Sequence, residues 1–373
     1  MKSEIHLFII WEKGRSQEKE IIDDIGKNLE ILSIRYITWS EDFFSENLTR
    51  FYGQNLPSSS DKVKECGKGE FVLIVVRDNS PLYRPRKTTK GVKVVNVNIF
   101  DRKEMYRYWT GGGNKVHATN SELETNHDLT LLVGYNTCDF ELRCVNSENK
   151  RIVEQRDLIG AKAWNSFGEL LYTLNNCIEY VVLRNFEGLP ENITIGEHGD
   201  VDFLTVDRKQ FELIANSTPV SVYKFRVREI IKTVEGNIYC DIRNCGDDYY
   251  CKEWEKEILS KRVYNNRNFY VPDSINLFYS LLYHSLIHKI KISEDYIDKF
   301  EIYGKEFLHL SIDYEDREHL IRFLREYLIK NNYRIVEPKD LSVGFNIQNT
   351  NLQLSKSYRV RKMIYRFISK IVV

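Results

Sequence analysis

Two aspartates, Asp200 and Asp202, stand two positions apart in the run Gly199-Asp200-Val201-Asp202-Phe203-Leu204-Thr205-Val206. An apolar run of this length predicts a strand, and side chains two apart on a strand share a face. Asp200 and Asp202 then present their carboxylates side by side, with Val201 and Phe203 turned to a core. Neighbouring carboxylates repel one another, and holding them beside apolar surface is costly. A cation between them removes that cost. Hard oxygen ligands at this spacing suit Mg²⁺, with Mn²⁺ as the alternative.

A third carboxylate comes from Gly236-Asn237-Ile238-Tyr239-Cys240-Asp241-Ile242-Arg243, which reads as a second strand with Asp241 near its end. Gly-Asp-x-Asp followed by two apolar residues, and then a later strand carrying one Asp, resembles the nucleotidyltransferase fold of the DNA polymerase β superfamily. The likeness covers roughly residues 178 to 290. It implies that Asp200, Asp202 and Asp241 hold divalent metal for in-line attack on a nucleotide phosphate. The superfamily's Gly-Ser or Gly-Gly pair is missing from the corresponding place, Tyr180-Val181-Val182-Leu183-Arg184-Asn185-Phe186. Arg184 and Asn185 are the candidates to take over its phosphate contacts, with His198 a third substrate-binding candidate. Read without the resemblance, Gly-Asp-Val-Asp is a turn into a strand with solvated acids.

The chain of 373 residues has room for two or three domains. Lys plus Arg equals Asp plus Glu at 54 each, so overall charge gives no pull toward nucleic acid. The seven cysteines show no Cys-x-x-Cys and read as reduced thiols of a cytosolic protein. The N-terminal residues read as lacking a signal peptide.

The expected fold class is an α/β domain over 1–145, followed by an α+β nucleotidyltransferase-like domain over 157–272. A helical C-terminal region over 273–350 and a tail over 354–373 complete the chain. In the first domain, residues 5–11, 34–39, 71–76 and 92–97 read as strands, and Glu18 to Leu32 as a helix. The unbroken apolar run Phe71 to Val76 predicts burial on both faces. Residues 146–156 read as the linker. Further on, residues 161–172, 207–215 and 254–259 read as helices, and 180–183, 220–228, 229–234 and 238–243 as strands.

A second polar concentration runs from Tyr106 to Asp128. Gly111, Gly112 and Gly113 let backbone N–H groups approach an anion. Lys115, His117, Thr119 and Asn120 suit phosphate or sugar. Ser121-Glu122-Leu123-Glu124 reads as a capped helix start. This stretch is either a second ligand site or a glycine-rich surface turn. His117 and His127 suit acid–base or ligand roles, and His284 and His288, four apart on an apolar helix, read as structural.

The tail has Lys356, Arg359, Arg361, Lys362, Arg366 and Lys370, no acid, and apolar residues on one helical face. It reads as a peripheral anchor on the inner membrane face, or as a helix docked on protein. The chain also resembles uncharacterised nucleotidyltransferase-like proteins of bacterial surface-polysaccharide gene clusters. That resemblance implies transfer of a nucleotidyl or phosphoalditol group. The donor would be a nucleotide or nucleotide-activated alditol, and the acceptor a sugar or lipid-linked glycan. The alternatives are an inactive nucleotide-binding or regulatory module and a nucleic-acid nucleotidyltransferase.

Overall fold

The computed structural model describes residues 3–88, 91–144, 151–193, 196–220, 227–289, 292, 294–310, 312–350 and 353–371. It is a mixed α/β protein that divides after Trp164 into two compact units. Each unit is built on one five-stranded sheet.

In the first unit the strands are β1 (Glu4–Ile10), β2 (Glu30–Thr38), β3 (Phe71–Asp78), β4 (Tyr83–Thr88), β5 (Gly91–Asn96), β6 (Val116–Ala118) and β7 (Arg151–Gln155). The sheet order is β6-β1-β3-β2-β7. β3 is central and antiparallel to both neighbours, and Phe71 to Val76 are fully buried as the apolar run predicts. Val72, Ile74 and Val76 join Ile21 and Ile25 of helix Glu18–Asn28 and Ile99 and Tyr106 of helix Val97–Trp109 in one core. Trp11, Trp39, Phe51 and Phe71 form an aromatic cluster.

Three sequence readings are corrected here. The first helix stops at Asn28; Leu29 turns extended, and the chain enters β2 with a shift of register between Ile31 and Ser33. Residues 92–97 do not join the main sheet. β5 pairs only with β4, and Val92 and Val94 are exposed, because lone β-branched residues on a hairpin have nothing to cover them. Residues 151–155, read as linker, form β7 and run parallel to β2, with Arg35 donating to Glu154 Oε1 at 2.5 Å. Residues 145–150 of that stretch lie outside the described residues.

In the second unit the strands are β8 (Tyr180–Val182), β9 (Gly196–Thr205), β10 (Thr218–Pro219), β11 (Arg228–Thr233) and β12 (Gly236–Asn244), in the order β10-β11-β12-β9-β8. The strand expected over 220–228 falls largely on residues 221–226, outside those described. Helix Phe167–Cys177 precedes β8, starting later than the expected 161, where Ser166 caps it by accepting from Glu169 N. Helix Arg208–Ala215 follows β9 and is capped by Asp207. Leu204, Trp254, Phe278, Leu281 and Leu324 share the core of this unit. Full burial of each such side chain contributes about 1.5–3 kcal/mol. Helix Ser274–Tyr283 gives way to a π-helical turn, His284–His288.

Candidate functional site

β9 lies between β8 and β12, antiparallel to the first and parallel to the second. The parallel register sets Asp241 opposite Asp202 and Cys240 opposite Val201. Val201, Phe203 and Cys240 are buried, which fixes the strand faces. The three aspartates expected to act together are therefore neighbours on adjoining strands, with Asp202 buried to 7 % exposure.

Each carboxylate is bound by a different arginine. Arg184 Nη2 donates to Asp202 Oδ1 at 2.6 Å, and Arg228 Nη2 to Asp200 Oδ1 at 2.8 Å. Arg243 Nη2 donates to Asp241 Oδ2 at 3.0 Å, while its Nη1 donates to the buried Asp340 at 2.8 Å. Burial pushes the Asp241 carboxyl up to about 6; Arg243 opposes this, and the charges of Asp202 and Asp200 add to it.

Two of the arginines meet at Tyr249, and Arg228 lies over Tyr239 instead. The Arg184 and Arg243 guanidinium carbons lie 5.6 and 4.4 Å from its ring centre. Arg184 Nη2 also donates to the Tyr249 hydroxyl at 3.0 Å, and that oxygen lies 2.6 Å from His284 Nδ1. Burial, then the Arg184 charge, holds His284 well below its ordinary pKa, which favours the neutral ring beside the Tyr249 hydroxyl. Asp202, Arg184, Tyr249 and His284 thus form one continuous relay. Arg184 Nη1 and Arg243 Nε are buried and have no acceptor.

In donor type and strand register the three aspartates fit a hard divalent cation. They are not drawn to ligating distance, because each is turned to its arginine. Among the described residues, the trio of His, Cys, Asp or Glu with ligand atoms all within 4.8 Å is instead His117, Glu124 and Asp128. Asn185, with φ 57°, accepts from Lys299 Nζ at 2.7 Å. The side chain of His198 lies outside the described residues.

The glycines of the first unit cap a helix. Gly111, Gly112 and Gly113 have φ of 82°, 84° and 79°, and Gly111 N and Gly112 N donate to Tyr108 O and Arg107 O. This left-handed stretch closes helix Val97–Trp109. The next amide, Asn114 N, donates to Glu65 Oε2 at 2.9 Å, so an internal carboxylate takes the anion's place. Lys115 Nζ donates to Thr110 O at 2.6 Å. Thr119 is buried and accepts from Leu7 N and Thr125 Oγ1. Asn120 donates to Glu124 and accepts from Lys103. Ser121 caps the following helix by accepting from Glu124 N, as the sequence predicts.

Sequence reasoning missed Arg228, Arg243, Tyr249 and Asp340. Arg243 had a signal: it stands two residues after Asp241 and so shares its strand face. Two clefts of ≈ 430 and ≈ 590 Å³ in the first unit include none of the candidate residues. Both are open and lined mainly by polar side chains. Comparison with protein-family models and with curated proteins finds no match.

Proposed function

We propose that the second unit is a Mg²⁺-dependent nucleotidyl- or phosphoalditol-transferase of surface-polysaccharide assembly, with Asp200, Asp202 and Asp241 as its metal ligands. The observation that carries this reading is the register of Asp241 against Asp202 across parallel strands, with Asp200 two residues before Asp202. The order helix, β8, β9, helix, β12, with β9 between the other two strands, supports the nucleotidyltransferase resemblance.

In this reading an acceptor hydroxyl oxygen bonds to phosphorus as the bond to the leaving pyrophosphate or nucleoside monophosphate breaks. Mg²⁺, when bound, neutralises charge developing on the phosphoryl oxygens. The aspartates would hold the cation and, through it, orient the donor phosphates. Arg184 and Arg243 carry donor N–H groups that no protein acceptor satisfies, and these suit phosphate oxygens. Arg184 stands where the superfamily has its Gly-Ser pair, so a guanidinium takes the place of backbone amides. The relay through Tyr249 to His284 fixes its orientation.

No helix among the described residues is long and apolar enough to cross a membrane. The tail helix Lys356–Ile371 exposes Val360, Met363, Ile364 and Phe367, with exposures of 65 % at Met363 and 69 % at Phe367. Its basic residues and these apolar side chains suit an anionic bilayer surface, where a lipid-linked acceptor would be met.

A second reading is a nucleotide-binding module without catalysis, and the arginine bound to each aspartate favours it. Calorimetry with Mg²⁺ and each nucleoside triphosphate or CDP-alditol, paired with a turnover assay, separates the two. Transfer that Asp200→Asn abolishes supports the enzyme. Binding without product, unchanged by that substitution, supports the module.

A further inference from the structure

We propose a second, independent cation site in the first unit, formed by His117, Glu124 and Asp128 and suited to a borderline divalent ion such as Zn²⁺ or Co²⁺. It does not rest on the function assigned to the second unit.

Two elements build it. His117 is on β6, opposite Ile9 of β1, and its ring is held edge-on by Phe51 and Tyr52 at 5.3 and 5.5 Å. Glu124 and Asp128 are four residues apart on helix Glu122–Val133, so they share a face one turn apart. One ligand atom from each of the three residues lies within 4.8 Å of the others. The Asp128 carboxylate is buried at 3 % exposure, yet a second carboxylate approaches it from the same helix. Like charges so placed destabilise one another, and a cation shared between them reverses the sign of that interaction.

The surroundings fix the ligands as metal sites require. Asp128 Oδ2 lies 2.7 Å from His117 Nε2, and Oδ1 lies 2.9 Å from His127 Nδ1. A cation there takes the place of the proton shared by His117 Nε2 and Asp128 Oδ2, while His127 holds the other Asp128 oxygen. Glu124 Oε2 accepts from Asn120 N at 2.6 Å and Asn120 Nδ2 at 2.8 Å, which holds its carboxylate in place. Asp128 is deep, whereas Glu124 and His127 are half-buried and give the site a side open to solvent. One imidazole with two carboxylates suits Zn²⁺ or Co²⁺ better than Mg²⁺. Three protein ligands leave a coordination position for water or substrate, the pattern of catalytic sites and not of closed structural ones.

The test is Co²⁺ titration of the full chain, followed by visible spectroscopy, with Zn²⁺ added to displace it. Four proteins are compared: wild type, His117→Ala, Glu124→Gln and Asp202→Asn. The proposal expects one Co²⁺ with nitrogen and oxygen ligands and no thiolate charge-transfer band, and this ion persists in Asp202→Asn, where the aspartate site of the second unit is disabled. Affinity falls at least about tenfold in His117→Ala and in Glu124→Gln and is unchanged in Asp202→Asn. Glu124→Gln keeps an acceptor for Asn120 and decides the matter should His117→Ala unfold. Unchanged affinity in Glu124→Gln, a sulfur band, or no stoichiometric binding overturns the site.

Discussion

Asp241 and Asp202 are register partners across the parallel strands β12 and β9, yet each is bound to its own arginine, at 3.0 and 2.6 Å. The Asp202–Arg184 pair is buried, the Asp241–Arg243 pair part-buried and the Asp200–Arg228 pair exposed. Three aspartates face three arginines, and Arg243 is shared with a fourth acid, Asp340. A charge removed from one side of the buried pair leaves its partner exposed to the full cost of burial.

Arg184→Ala strands the Asp202 carboxylate at 7 % exposure. Breaking a buried pair from one side costs about 3–5 kcal/mol. Denaturant unfolding of the variant should show a loss in that range. A loss below about 1 kcal/mol would place the pair in the weak class of surface ion pairs.

Tyr249→Phe removes the hydroxyl between Arg184 Nη2 and His284 Nδ1 but keeps the ring against both arginines. His284 Nδ1 then loses its hydrogen-bond partner in the core, at a cost of about 1–3 kcal/mol. Thermal melts should register that loss, and under the transferase reading turnover falls with it. A variant as stable and active as wild type would show that the relay is incidental.

The fold was legible where a pattern is local. The apolar run 71–76 marked the central strand, and Ser121 and Asp207 marked helix starts. Short apolar runs placed Asp202 and Asp241 on strands, and the nucleotidyltransferase resemblance implied that they gather. The arginines were not reachable. Arg228 meets Asp200 only because β11 turns back beside β12, and Asp340 meets Arg243 from 97 residues away. Periodicity carries no signal for contacts set by packing of distant loops. Glycines 111 to 113 were open to two readings, because positive φ serves a helix end as well as an anion, and sequence does not distinguish the uses.

Burial raises the carboxyl of Glu229 to about 7, with the Glu212 charge adding to it. Burial and the neighbouring Asp247 raise Glu255 to about 8. Each native group keeps a proton that the unfolded chain has released, so the native state binds more protons between the usual carboxyl range and those values. Stability is then fully present below the unfolded pKa and falls as pH rises through the window. Melting temperature should drop between about pH 7 and about pH 8.5, above the range where the unfolded forms of the buried His284 and His288 take up protons. A rise over that interval would contradict the assignment.

Helix Lys356–Ile371 is tethered near its start, where Tyr358 packs on Phe345 and Lys362 Nζ donates to Val343 O at 2.8 Å. Of its exposed apolar side chains, Met363, Ile364 and Phe367 lie beyond that tether and Val360 lies within it. Phe367→Glu with Met363→Glu should abolish co-sedimentation with vesicles containing phosphatidylglycerol, and wild type should not pellet with pure phosphatidylcholine. Equal pelleting of wild type and variant would assign the helix to a different partner.

The most direct test of the transferase account is the rate of Mg²⁺-dependent donor consumption by wild type and by Asp241→Asn, both checked for folding. Loss of a ligand to a metal that stabilises transition-state charge removes several kcal/mol, so the account predicts a fall of at least about a hundredfold. Equal rates in the two proteins, or no Mg²⁺-dependent rate in wild type with any nucleotide donor, would contradict it.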